Sequence, residues 1–218
     1  NYGTQEPEAE VFVERPADRV IDRALAWLEA APSPWFAWVH LFDPHQPYRA
    51  PEPFFSRYKD DPYAGEVAYV DQAVGRLLTA LQARGLETGT GVILTADHGE
   101  SLGEHGEATH GYFAYNATLW VPLLIALPGA EPVEVTANVG HIDIFPTICG
   151  ALGLDPPSGL QGRSLLPLLR GGRLPEKEIY FEALTAYCNR GWAPLRGFIS
   201  GPTKFMESPV PEIYDLEA

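Results

Sequence analysis

Two stretches of the chain place apolar residues at helical spacing, and three others run apolar almost without interruption. Val20, Ile21, Leu25 and Leu28, with Trp27 beside the stripe, predict a helix capped by Asp18 and stopped by Pro32 and Pro34. Trp35 to Phe42, reading WFAWVHLF, predicts a strand covered on both faces, as in a parallel sheet. It runs into Asp43-Pro44-His45-Gln46-Pro47-Tyr48, a stiff loop that would set His45 at the strand's carboxyl edge. The Pro- and aromatic-rich residues 49–65 read as a long surface excursion. Val67, Val70, Val74, Leu77, Leu78 and Leu81 then predict a helix over 66–84, with Gly85 as its stop. Val92 to Thr95 and Val121 to Leu127 are the other two apolar runs, and both read as buried strands. Asp143 is placed to cap a helix over 144–152, and 164–169 is a short helical or turn segment. From Gly171 the texture shifts to short alternating runs at 178–182, 195–200, 204–206 and 212–216, separated by Gly and Pro. The order predicts an α/β core over 1–172, with an irregular lead-in at 1–16, and a small antiparallel appendage over 173–218.

Composition changes this picture little but narrows the partners. With 218 residues and 45% hydrophobic content, the chain can bury a sizeable core. A net charge of −14 disfavours a nucleic-acid binder, which needs a basic face. It leaves an anionic small molecule open, because a metal ion and local cations can invert the potential within one pocket. Cys149 and Cys188 form no disulfide framework or metal knuckle and read as free thiols. No apolar run approaches the roughly 20 residues that cross a bilayer. The chain begins at Asn1 and its only methionine is Met206, so it reads as a mature or truncated piece.

Candidate chemistry gathers in Val92 to Gly111, VILTADHGESLGEHGEATHG. A strand that opens into a glycine-punctuated loop at its carboxyl edge is how an α/β protein presents ligands. Asp97 and His98 offer a hard oxygen and an imidazole, which suit Zn²⁺, Mn²⁺ or Mg²⁺, while carboxylate-rich surroundings suit Ca²⁺. The same dipeptide also serves as a capping Asp beside a hydrogen-bonded His. His110 lies twelve residues on and could fold back over the pair, to bind an ester oxygen or protonate a leaving group. Its competing reading is a solvated loop histidine. His105 and His40 are weaker candidates, His40 reading as a satisfied core histidine. Glu100, Glu104 and Glu107 read as a mostly solvated acidic face, one of which could orient a ligand histidine.

ADHGESLGEHGEATHG, followed by Tyr115 and by Val121-Pro122-Leu123-Leu124-Ile125, resembles the C-terminal half of the sulfatase core in the alkaline phosphatase superfamily. HLFDPHQPY, GEVAYVDQAVGRLL, HIDIFPT and GLQGRSLLPLL follow in that family's order, and EIYDLEA more loosely. The resemblance implies a three-layer α/β sandwich with a mostly parallel sheet. It implies a hydrolase of a small-molecule sulfate ester, or alternatively a phosphodiester or phosphonate hydrolase or a phosphoethanolamine transferase. One divalent ion is implied, calcium first, with manganese, magnesium or zinc as alternatives. Asp97 and His98 match two metal ligands, the second often Asn in arylsulfatases. His45, in His-x-Pro, matches a contact to substrate oxygen, and His110 a position that frequently holds Lys and helps the leaving group depart. Two-metal relatives carry Asp-x-x-x-His on the preceding helix; here Asp71 is followed by Gly75, so that second site is lost. The family's nucleophile, in Cys/Ser-x-Pro-x-Arg or as Thr/Ser, matches no position of this chain, and the 218 residues alone are expected to be a non-catalytic module.

Overall fold

The computed structural model describes residues 14–217, which fall into two compact units divided between Thr88 and Gly89. Most of the expected lead-in lies outside the described residues; 14–16 carry neither helix nor strand.

The first unit is built on two helices. α1 spans Ala17–Ala30, and its i, i+4, i+11 stripe of Ala17, Ile21 and Leu28 is buried. Asp18, expected as the N-cap, lies inside the first turn, because Pro16 takes that place. The Asp43 carboxylate accepts the Ala17 amide (2.8 Å) in its stead. α2 is a single turn, Phe54–Arg57, within the expected surface excursion. α3 spans Pro62–Ala83 and starts earlier than its apolar stripe suggests. Asp61 at the N-cap accepts the Ala64 amide and Pro62 presets the first helical φ, a start signal that overrides the periodicity. Ala17, Ile21, Ala50, Tyr69 and Ala73 form the core, with Leu25, Val39, Leu41, Phe54, Val70 and Leu77 packed on it. Tyr69 donates to Asp18 (2.8 Å) and accepts the Asp18 amide (2.9 Å), joining the two helices. Burial of that phenol pushes its pKa up to about 12.

Residues 35–42, expected as a strand covered on both faces, carry no helix and belong to no ladder among the described residues. Val39 and Leu41 face the helical core while Phe36 and Trp38 remain 70% and 83% exposed. From Trp38 to Leu41 exposed and half-buried positions alternate, leaving one covered face, which a continuous apolar run does not reveal. His40, expected in the core, is on the exposed side of that alternation.

The second unit opens with β1, Val92–Thr95. After α4, Asn116–Leu119, comes β2, Leu123–Ala126, antiparallel to β1 with Val92 opposite Ala126 and Thr95 opposite Leu123. Both strands are half-buried rather than enclosed, with Leu124 60% exposed. α5, Ile144–Ala151, follows a 3-10 turn at His141–Asp143, and α6 is Leu166–Leu169. Asp143 stands at the N-cap of α5, but its carboxylate bonds the Gly140 and Arg163 amides rather than the helix. β3, Ile179–Ala183, then α7, Thr185–Arg190, lead into β4, Leu195–Ser200, β5, Thr203–Glu207, and β6, Glu212–Asp215. β3 to β6 form an antiparallel meander in chain order, at the places the alternation predicts. Among the described residues both sheets are antiparallel, and the parallel sheet expected from the apolar runs is not among them. Cys149 is buried and Cys188 exposed, both as free thiols. No described helix is long and apolar enough to cross a membrane.

One cation is embedded where the meander meets the chain after His110. Lys204 is 1% exposed beside Ala114, Phe181 and Met206. Its Nζ donates to Ala114 O (2.5 Å) and Asn116 Oδ1 (3.2 Å) and lies over the Tyr115 and Phe181 rings. Burial lowers its pKa from 10.5 to about 8, against the opposing pull of Glu212. Between those values the unfolded chain holds a proton that the folded chain has released, so stability rises with pH across that window. Urea midpoints of the wild type should climb from pH 8 to 10 relative to those of Lys204→Met. Parallel midpoints for the two proteins would refute the assignment.

Candidate active site

The end of β1 sets the geometry. Ala96 leaves the strand, and Asp97 and His98 follow with their side chains 76% and 43% exposed. Asp97 Oδ1 accepts the His98 amide (3.0 Å), which turns the carboxylate toward the imidazole beside it. His98 Nδ1 lies 2.9 Å from Gly99 O. A carbonyl only accepts, so Nδ1 carries a proton, and it is the neutral form of that ring that offers an Nε2 lone pair to a metal. Nε2 and Asp97 Oδ2 are 3.7 Å apart. That is beyond a hydrogen bond but close enough for both to reach one ion at ligand distances of about 2.0–2.4 Å. The donor set therefore fits two positions of a metal shell. Among the described residues no third His, Cys, Asp or Glu joins them in a cluster.

The chain then doubles back. Ser101 N donates to Thr109 O (3.0 Å) and Gly103 N to Glu107 O (2.8 Å), with Leu102 and His105 in the left-handed region at φ 54° and 53°. This hairpin-like loop returns His110 onto His98, with ring centroids 4.1 Å apart at 36°. His110 Nδ1 faces the Glu100 carboxylate at 3.2 and 3.4 Å, and Thr109 Oγ1 at 3.0 Å. The Glu100 side chain is 6% exposed. A buried carboxylate on Nδ1 holds the proton there and aims the Nε2 edge away from the loop.

The expectation of a solvated acidic face holds for Glu104 alone. Glu100 is the histidine partner just described, and Glu107, 4% exposed, accepts the Tyr112 (2.7 Å) and Phe113 (3.2 Å) amides. His105 stacks on Tyr115 at 3.7 Å and 14°. Tyr115 OH in turn reaches Glu212 (3.3 Å) in β6.

His45 and His40 belong to the first unit. The loop carrying His45 is cradled by Glu66 of α3, whose two carboxylate oxygens accept the His45 (2.9 Å) and Arg49 (2.6 Å) amides. Glu66 is 3% exposed, and burial raises its pKa against the pull of those two amides. The His45 ring packs on Phe42 at 4.3 Å, with Nδ1 2.7 Å from Gln46 O. The periodicity of α3 gave Glu66 no role; the signal was a carboxylate among apolar positions of a helix face. Asp71, on the same helix, is exposed.

The Sulfatase family model matches residues 3–154. Among curated proteins, the chain is 32% identical over 164 residues to an endo-4-O-sulfatase of Bacteroides thetaiotaomicron, covering 62% of this chain and 32% of that protein. It is 32% identical over 180 residues to a steryl-sulfatase of Rattus norvegicus, covering 74% of this chain and 31% of that one. The chain thus spans about a third of the length of these curated relatives. Its fold is shared with a phosphonate monoester hydrolase of Agrobacterium radiobacter, at a TM-score of 0.75 and 23% identity over 93% of this chain and 55% of that one.

Proposed function

The chain belongs to the sulfatase family, and from that premise we propose that it carries part of the active site of a sulfuric ester hydrolase. The observation behind this reading is the convergence of Asp97, His98, Glu100 and His110 at one strand end. We assign Asp97 and His98 to one divalent ion, calcium first, and His110 and His45 to the substrate. When bound, such an ion polarises a sulfuryl oxygen. His110 acts as the imidazolium: with Nδ1–H on Glu100 it gives its second proton, from Nε2, to the leaving oxygen as the sulfur–oxygen bond breaks, and is left as the neutral Nδ1–H ring. The new bond to sulfur forms in line, from a nucleophile that is not among these 218 residues. His45 offsets charge on a peripheral oxygen. In this reading residues 1–172 are part of a three-layer core with a mostly parallel sheet, and 173–218 a C-terminal subdomain.

A second reading, phosphodiester or phosphonate hydrolysis on the same scaffold, draws support from histidines at both 98 and 110. Assays of the complete protein on an aryl sulfate and an aryl phosphodiester separate the two. Turnover of the phosphorus ester alone would overturn the first. The 218-residue chain by itself is expected to show no turnover of either, and metal-dependent activity in a homogeneous sample would contradict that.

A further inference from the structure

One histidine outside this constellation touches the backbone that carries it. His141 opens the 3-10 turn before α5, and its Nε2 lies 2.9 Å from Ala96 O and 3.4 Å from Thr95 Oγ1. The β1–β2 ladder ends at the Thr95–Leu123 pair, so Ala96 O is the first carbonyl beyond the sheet. Because a carbonyl can only accept, Nε2 is the protonated nitrogen. The bond spans 45 residues of sequence, and its far end is fixed. Asp143, fully buried, accepts the Gly140 (3.1 Å) and Arg163 (2.8 Å) amides and lies 3.6 Å from Lys177 Nζ. Thr147, also fully buried, donates to Asp143 O (2.6 Å) and accepts the Leu165 amide (2.8 Å). The turn that presents His141 is thereby pinned by two buried polar side chains.

We propose that His141 is a positioning residue for the Asp97–His98 pair. The Ala96 carbonyl and the Asp97 amide belong to one planar peptide unit, so fixing the oxygen fixes the plane from which the Asp97 side chain departs. Asp97 and His98 are otherwise largely exposed, and an exposed donor pair needs backbone restraint to hold a fixed separation. Thr95 Oγ1, 3.3 Å from the same carbonyl, adds a second donor to that oxygen. The claim on metal affinity rests on the metal reading of Asp97 and His98; the claim on the peptide plane does not.

The test uses the chain with Mn²⁺ as probe and four proteins: wild type, Asp97→Asn, His141→Leu and His141→Gln. Glutamine keeps a nitrogen donor at nearly the reach of Nε2, whereas leucine keeps volume and loses the donor. In ¹⁵N spectra, His141→Leu should shift the Asp97 amide and speed its hydrogen exchange, while His141→Gln restores both. Mn²⁺ affinity should fall about 10- to 100-fold in His141→Leu, the range for loss of an outer partner, and recover in His141→Gln. An Asp97 amide unmoved in His141→Leu overturns the proposal, as does glutamine behaving like leucine in both readouts. Mn²⁺ binding unaltered by Asp97→Asn overturns the metal reading instead, leaving the amide arm to decide on His141. If His141→Leu fails to fold, the Asp97 amide of His141→Gln decides: a wild-type shift supports the clamp and a displaced one overturns it.

Discussion

Replacing His110 with alanine in the complete protein should lower kcat by about 10²- to 10⁴-fold on an unactivated ester, the usual contribution of a positioned acid. The same substitution should cost far less on an ester whose leaving phenol is strongly acidic, because such an oxygen departs without a proton. The expectation follows from the placement of the ring. Glu100 holds its Nδ1 edge at 3.2 Å, and the His98 ring lies 4.1 Å away, so the imidazole sits beside the proposed metal pair. A residue that served only to pack against His98 would depress all substrates alike. Rates measured across aryl esters of graded leaving-group pKa distinguish the two: a steepened dependence supports the acid role, and an unchanged slope removes it. Glu100→Gln should steepen the dependence in the same direction by a smaller factor, since the imidazole remains but its proton is no longer held by a charged partner.

Gly99→Ala should be among the most damaging single-methyl changes in the chain. A Cβ at Gly99 would lie 2.1 Å from Ala117 O and 3.1 Å from Ala117 C, both backbone atoms. The clash cannot be relieved by a side-chain rotation, because the Gly99 amide is bonded to Thr118 O (2.8 Å) and its carbonyl to His98 Nδ1 (2.9 Å). Separating the two segments breaks that first bond and moves the carbonyl that fixes the His98 tautomer. The expected cost is about 3 kcal/mol, the upper part of the ordinary overpacking range. At about 2–4 °C per kcal/mol for a chain of this size, that is a fall in Tm of roughly 6–12 °C. Gly75→Ala is the matched control. It lies within α3 with nothing within 4 Å of its would-be Cβ, and it should stabilise by about 0.4–1 kcal/mol. Thermal unfolding of the two variants in parallel gives opposite signs if the contact at Ala117 is real. Equal Tm values would discard it.

What was legible in the sequence follows the range of the forces involved. α1, α3, α5, α6, β1 and the C-terminal meander are written in local periodicity and turn chemistry and lie near their expected places, whereas the short helices α2, α4 and α7 were not expected. The return of His110 over His98 was legible as a possibility, since glycines in the loop permit the reversal. The burial of the acidic residues was not, although one of Glu100, Glu104 and Glu107 was legible as a possible histidine partner. Glu100 and Glu107 occur among Gly and polar residues, where a carboxylate ordinarily faces water, and Glu66 sits on the apolar face of α3 without a partner visible in the local sequence. Each is instead buried against an amide or imidazole, and burial of a charge depends on partners that only the folded chain assembles. His141 was missed for the same reason, its acceptor lying 45 residues away. The apolar run at 35–42 misled in the opposite way, because hydrophobicity alone cannot say how many faces of a strand will be covered.

That run has a consequence for the chain in solution. Among the described residues, 35–42 join no ladder, and Phe36 and Trp38 are exposed, which is the composition of a self-associating edge. Pro32 and Pro34 before it and Pro44 after it act as gatekeepers against lengthening of any stacked ladder. The larger safeguard is colloidal: a net charge of −14 at pH 7 keeps copies apart. As the medium is acidified toward the isoelectric point near 4.7, that repulsion vanishes while the aromatic edge is unchanged. Turbidity should therefore set in on acidification before the secondary structure is lost, and added salt at neutral pH should bring the onset on in the same way by screening.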